Sequence, residues 1–241
     1  MLSPLIYELM IKDLTLQLQS QLLHLGNATI SLPNKSKDIS ILDTIHRIQD
    51  INPDLTIIPY YSCKYHQNKN REQTLQEFIH LLQELSHIHI PEILLVSGVP
   101  KPNYDSLSML EDIPPLHTHT YPRIAVAYNP FLQGIDLEDE NTRLNAKIKT
   151  GIISSIYLQI GINTDTIRKA VEYIRYLQPN LAIYISLMNP SPARLAQFRF
   201  RPWKGVFLPP EYTNSADNAQ KINQSLYQLA KELNIGVIQG L

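Results

Sequence analysis

The chain has 241 residues, of which 44% are hydrophobic and 18% charged, with a formal net charge of -1. That balance supplies a sizeable core and no broad basic field, which argues against nucleic acid or an anionic membrane as a main partner. The single cysteine, Cys63, cannot form an intramolecular disulfide; a lone thiol suits a reducing compartment, so the expected location is the cytoplasm.

The first apolar run, "LIYELM", carries Glu8 in its middle and lacks a basic leader, and no stretch reaches the roughly 18 apolar residues of a membrane span. A helix is predicted next over "DLTLQLQSQLLHLG", where Leu14, Leu18, Leu22 and Leu25 recur at helical spacing and Gly26 closes it. "ATISL" reads as a second strand, "DISILDTIHRIQDI" as a helix with Ile41, Ile45 and Ile48 on one face, and "DLTIIPYYS" as a third strand. The long helix "NREQTLQEFIHLLQELSHI" leads to a fourth strand, "EILLVSG". The Pro-rich segment "KPNYDSLSMLEDIPPLHTHTYP" is only weakly periodic and is expected to be a surface loop. Strands follow at "RIAVAY", "IISSIYLQI", "LAIYISL" and "NIGVIQGL", with helices over "DENTRLNAKIKTG" and "DTIRKAVEYIRYLQ".

Eight apolar strands, each followed or preceded by a helix, fit parallel strands buried on both faces, and the count fits a single-domain (β/α)8 TIM barrel truncated after the eighth strand. An open doubly wound sheet is disfavoured, since the first strand–helix turn has no glycine. With no helix after the eighth strand, one flank is expected to be covered by other residues, by a second copy in a homo-oligomer, or by a partner subunit.

Active sites of such barrels lie at the C-terminal ends of the strands. The residues there are Glu8 and Lys12, Ser31 and Asn34, Tyr60 to Cys63, Ser97 to Val99, Tyr128 and Asn129, Gln159, and Ser186 to Asn189. They include no His, Cys and Asp cluster at metal-ligand spacing, so no metal is expected. Glu8 is either half of a structural ion pair, with Lys12 for example, or a general acid in apolar surroundings. Gln159 either bonds loop backbone or reads a planar heterocycle with one donor and one acceptor. His87, His89, His117 and His119 read as solvated, and Cys63 as a buried inert thiol. "FRFRPWKG" sets Arg199, Arg201 and Lys204 among three aromatics, either as a packed basic patch or as a clamp for an anionic tail.

The motifs "IYELM", "PYYSCKYHQNKN", "LLVSGVP", "AYNP" and "LNAKIKTG…IYLQ", taken in order, resemble methylenetetrahydrofolate reductase and its relatives in the flavin-linked (β/α)8 barrel superfamily. The resemblance implies hydride transfer from NAD(P)H to 5,10-methylenetetrahydrofolate, with Glu8 as the acid that opens the imidazolidine ring and Gln159 gripping the pterin. It places Ser31, Tyr60, Tyr128 and Lys147 where that family contacts FAD, with a tyrosine at 60 in place of the usual histidine. The family's Arg-Gly-Asp after the fourth strand is here Ser97, Gly98 and Val99. Its Tyr-Pro-Glu and the histidine that follows become Tyr128, Asn129, Pro130 and Phe131, and the arginine before its lysine becomes Ala146. Two lost charge-assisted contacts alone weaken binding by roughly two to four powers of ten. Three functions stay open: a flavin-independent reductase with NAD(P)H in the flavin slot; a flavoprotein that holds FAD or FMN by backbone and hydroxyl contacts; and an inactive barrel serving as a folate-binding or partner-binding subunit. Arg201 and Lys204 have the charge for a folate glutamate tail.

Overall fold

A computed structural model describes residues 4–9, 16–33, 40–66, 70–114 and 121–240. Eight parallel strands close in sequence order, β1 to β8, as a (β/α)8 barrel. The strands are β1 (Leu5–Glu8), β2 (Thr29–Leu32), β3 (Thr56–Ser62), β4 (Glu92–Val96), β5 (Arg123–Tyr128), β6 (Ile153–Leu158), β7 (Ala182–Leu187) and β8 (Gly236–Gly240). The helices are α1 (Leu16–His24), α2 (Ile41–Ile51), α3 (Arg71–His87), α4 (Ser106–Asp112), α5 (Gly134–Lys149), α6 (Thr164–Leu177), α7 (Pro192–Phe200), α8 (Pro210–Thr213) and α9 (Ala216–Glu232). The chain forms two compact units, one of residues 6–126 and 150–154, the other of 1–5, 127–149 and 155–241.

In the first unit, α2, α3 and α4 start where a side chain takes up a free backbone N–H. Ser40 accepts from Asp43 N to start α2, and Asn70 from Gln73 N to start α3. α3 then buries Thr74, Phe78, Leu82 and Leu85, a stripe at helical spacing. Each such Leu or Phe stabilises the fold by about 1.5–3 kcal/mol relative to exposure. Ile30, Ile57, Ile93 and Leu95 complete this core from the strands. The second unit repeats the pattern. Asn163 caps α6, whose Ile167, Ala170, Val171 and Ile174 are buried, and Met188, Leu195, Tyr212 and Ala219 form a further apolar cluster beside Trp203 and Leu208.

One expectation is corrected. The segment after β4 is not only a surface loop: Asp105 accepts from Leu107 N and Ser108 N and so starts α4, which buries Met109 and Leu110. The cap and two apolar residues one turn in suffice for a short helix, despite the prolines on either side. His117 and His119 lie outside the described residues, as do Lys12 and Asn34.

Candidate functional site

Strand register brings three of the sequence-named residues together. Glu8 is opposite Ser31, and Ser31 opposite Ile58, so all three side chains share one face of the sheet; Tyr60, two residues beyond Ile58, shares it too. The other face of β3 belongs to the helix layer, since Tyr61 packs on Phe78 of α3 with ring centroids 4.6 Å apart and stacks on His66 at 4.5 Å. Glu8, Ser31 and Tyr60 therefore point away from the helices, toward the barrel interior. The Tyr60 hydroxyl donates to Glu8 Oε2 at 3.1 Å. Burial, and then the Glu8 carboxylate, push the Tyr60 phenol well above its ordinary range, so it stays a neutral donor. Ser31 is fully buried, and its Oγ makes no hydrogen bond of good geometry.

The turn after β4 is satisfied internally. Ser97 Oγ shares a 2.8 Å hydrogen bond with Ser106 Oγ and accepts from Ser106 N at 3.2 Å, which ties it to the start of α4. Gly98 has φ +83°, and a Cβ there would lie 2.8 Å from Lys64 Cβ and 2.9 Å from Ser62 Oγ. Glycine is needed because the β3–α3 loop presses on this backbone. Val99 is exposed, and its carbonyl accepts from Lys64 Nζ at 2.5 Å. Cys63 is fully buried beside this loop.

In the second unit the sequence-named residues are mostly tied up in structure. Tyr128 is buried and donates to Asn141 Oδ1 of α5 at 2.6 Å, so it faces the helix layer. Burial, with Glu140 and Tyr173 nearby, raises its phenol pKa. Lys147, also buried, donates to the Ala127 carbonyl at 3.3 Å. Asn129 donates through Nδ2 to the Gly205 carbonyl at 2.8 Å. Gln159 is half-buried; its N–H donates to the Tyr128 carbonyl at 2.8 Å, and its Oε1 accepts from Ile160 N at 2.9 Å, which leaves the Nε2 amide as its outward donor. Met188, in the loop after β7, is held through its carbonyl by Tyr212 and by Asn223 Nδ2. Burial raises the Tyr212 phenol to about 12. In "FRFRPWKG", Phe198 packs edge-on against Trp203 at 5.7 Å and Arg199 donates to the Thr213 carbonyl, while Arg201 and Lys204 are exposed.

Of the residues named from sequence, Glu8, Ser31 and Tyr60 thus form one cluster. Ser97 to Val99 meet Ser62, Lys64 and Ser106 instead, and Tyr128 and Gln159 meet through their backbones. A cavity of about 900 Å³ beside α5 and α6 is lined in part by Tyr128, Phe131, Lys169, Tyr173 and Phe207. Only Tyr128 among these was a sequence candidate, because the cavity is shared among the loops after β5 and β6, the faces of α5 and α6, and Phe207, Pro209 and Glu211, and no short motif spans them. Among the described residues, no His, Cys, Asp and Glu side chains gather in a group of three or more that could hold a metal ion, and no helix is long and apolar enough to cross a membrane.

No family model and no curated protein matches the chain. Solved structures do. One is an uncharacterized protein from Clostridium thermocellum that binds two copies of 5-methyl-5,6,7,8-tetrahydrofolic acid; it is 15% identical with a TM-score of 0.62, over 99% of this chain and 88% of that one. Native xylanase 10B from Thermotoga maritima is 11% identical with a TM-score of 0.61, over 99% and 82%. The 7,8-dihydropteroate synthase from Vibrio fischeri ES114 is 12% identical with a TM-score of 0.51, over 99% and 86%. At such identities the likeness establishes the barrel fold and nothing finer.

Proposed function

We propose that this barrel binds a reduced folate and, more specifically, that it reduces 5,10-methylenetetrahydrofolate with NAD(P)H as second substrate. The observation that carries the reading is Glu8. It stands at the C-terminal end of β1 on the inward face, half-buried, and its described hydrogen-bond partner is a neutral phenol on Oε2. A carboxyl group placed there, with no described partner on Oε1, can serve as a general acid. Glu8 would give its proton to N10, the bond from N10 to the bridging carbon would break, and a hydride from NAD(P)H would convert the resulting N5 iminium to a methyl group, leaving NAD(P)+. Two neighbours in fold support the choice of ligand class: one binds 5-methyltetrahydrofolate, and the other is a dihydropteroate synthase. The xylanase likeness supports no glycosidase reading. That chemistry needs a pair of carboxylates flanking the scissile bond, and among the described residues Glu8 is the one carboxylate at a strand's C-terminal end.

The turn after β4 does not fit a flavin. Ser97 is bonded to Ser106, Lys64 and Ser62 fill the side of Gly98, and Val99 offers no charge. No step is therefore routed through FAD or FMN. In the same reading Gln159 offers its Nε2 amide to the pterin, and Arg201 and Lys204 offer exposed cations to a glutamate tail.

Calorimetric titration with 5-methyltetrahydrofolate should show saturable binding. NAD(P)H oxidation should then depend on methylenetetrahydrofolate and fall at least about a hundredfold in Glu8→Gln, with folate affinity within a few-fold of the parent. Binding without NAD(P)H oxidation reduces the assignment to a folate-binding subunit; absence of binding overturns it.

A further inference from the structure

Tyr60 reaches Glu8 from two strands away. Glu8 is on β1 and Tyr60 on β3, with Ser31 of β2 between them on the same face. Adjacent strands are about 4.8 Å apart, so the phenol has to cross roughly the width of β2 to meet the carboxylate. It can do so because the residue it passes is a serine. A carboxyl group has two oxygens, and as an acid it carries its proton on only one of them. An O–H donor fixed on one oxygen makes that oxygen the carbonyl acceptor and leaves the proton to the other.

Resting on the reading of Glu8 as an acid, we propose that Tyr60 is its positioning residue: by donating to Oε2 it holds the carboxyl rotamer and places the transferable proton on Oε1, the oxygen left for the ligand. Three observations converge on this. The phenol hydroxyl lies 3.1 Å from Glu8 Oε2, within hydrogen-bond reach. Glu8 lies only partly in solvent, and this phenol is its described hydrogen-bond partner. The phenol remains protonated over the whole working pH range, because burial and the neighbouring carboxylate both oppose its ionisation. Ser31 Oγ neighbours the Tyr60 phenol and its hydrogen-bonding influence opposes, without outweighing, the upward push of burial and carboxylate, but no contact there has the geometry of an acceptor for the phenol proton. The opposite arrangement, with Glu8 donating to the phenol oxygen and the phenol donating to Ser31, makes Ser31 indispensable; the arrangement proposed here makes it dispensable.

The test compares Tyr60→Phe and Ser31→Ala in the full-length protein, with two readouts. Turnover of methylenetetrahydrofolate with NAD(P)H should fall about 10- to 100-fold in Tyr60→Phe, in kcat and not in KM, the range of a lost hydrogen bond to a carboxyl that becomes charged as its proton leaves. Infrared difference spectra of the parent against Glu8→Gln isolate the Glu8 carboxyl bands, which should move to higher frequency in Tyr60→Phe. Ser31→Ala should leave the Glu8 carboxyl bands where they stand in the parent. If the parent turns over and Tyr60→Phe equals it, the positioning role is wrong. If Ser31→Ala shifts the Glu8 bands as far as Tyr60→Phe does, the direction of the hydrogen bond is wrong and the proposal falls. If the parent shows no turnover, the reductase reading fails by itself, and the infrared bands still decide: an unmoved band in Tyr60→Phe overturns the contact, and a shifted one upholds it.

Discussion

Two carboxylates in the first unit, on the same face of the sheet, are treated in opposite ways. Glu92 opens β4 at its N-terminal end, is 3% exposed, lies 3.7 Å from the Arg123 guanidinium and accepts from Ser154 Oγ at 3.1 Å. Glu8 ends β1 at its C-terminal end, is partly exposed, and meets a phenol and no described cation. Sheet parity puts both inward, because Tyr60 pairs with Leu94 and Glu92 lies two residues before Leu94. At the N-terminal ends of barrel strands a polar side chain serves stability; at the C-terminal ends it is available for ligands. A buried carboxylate with a cation and a hydroxyl has little left to offer a substrate, whereas one with a single neutral donor keeps an oxygen unused.

The sharpest break between the two is activity. Glu8→Gln should abolish most turnover, at least about a hundredfold, while thermal unfolding followed by circular dichroism changes little. Glu92→Gln should do the reverse, costing about 1–3 kcal/mol of stability through the weakened contacts to Arg123 and Ser154, with folate affinity unchanged in the same titration. A Glu92 variant that loses activity and keeps its stability would erase the contrast. A smaller effect tests the strand end next door. Gly98→Ala should destabilise by about 1–2 kcal/mol in urea unfolding, since alanine is strained at this positive φ and its methyl meets Lys64 and Ser62; an unchanged midpoint would return Gly98 to a ligand role.

The smallest effect comes from a third carboxylate, at the surface. Asp112 accepts from Arg71 Nε and Nη2, each at 2.5 Å, and these hydrogen bonds hold its carboxyl below the ordinary value. A depressed folded-state pKa contributes stability above the unfolded-state pKa of about 3.9 that is lost as pH falls through the folded value. Because the pair is largely exposed to solvent, Asp112→Asn should cost about 0.2–1 kcal/mol at neutral pH, a difference that shrinks as pH falls through the folded-state pKa. The check is urea unfolding at neutral and at acid pH.

Much of the barrel is legible in the sequence. Runs such as Ile57 to Tyr61 and Ile93 to Val96 are apolar on both strand faces, the signature of parallel strands covered by helices, and the helices between them carry one apolar stripe each. Glu8 was legible as well, being a carboxylate in an apolar strand. α4 was misjudged because the prolines around it outweighed a short cap signal at Asp105. Tyr128 and Tyr60 looked alike in sequence, each an aromatic near a strand's C-terminal end. One turned outward to Asn141 and the other inward to Glu8.

The sequence alone determined the order and type of the elements, because hydrophobic periodicity and capping are local properties of the chain. Only the tertiary structure decided which polar groups remain free for chemistry. Register aligned Glu8, Ser31 and Tyr60 across three strands, and a loop from β3 filled the space beside Gly98. Both depend on contacts between segments dozens of residues apart, and no short motif encodes them.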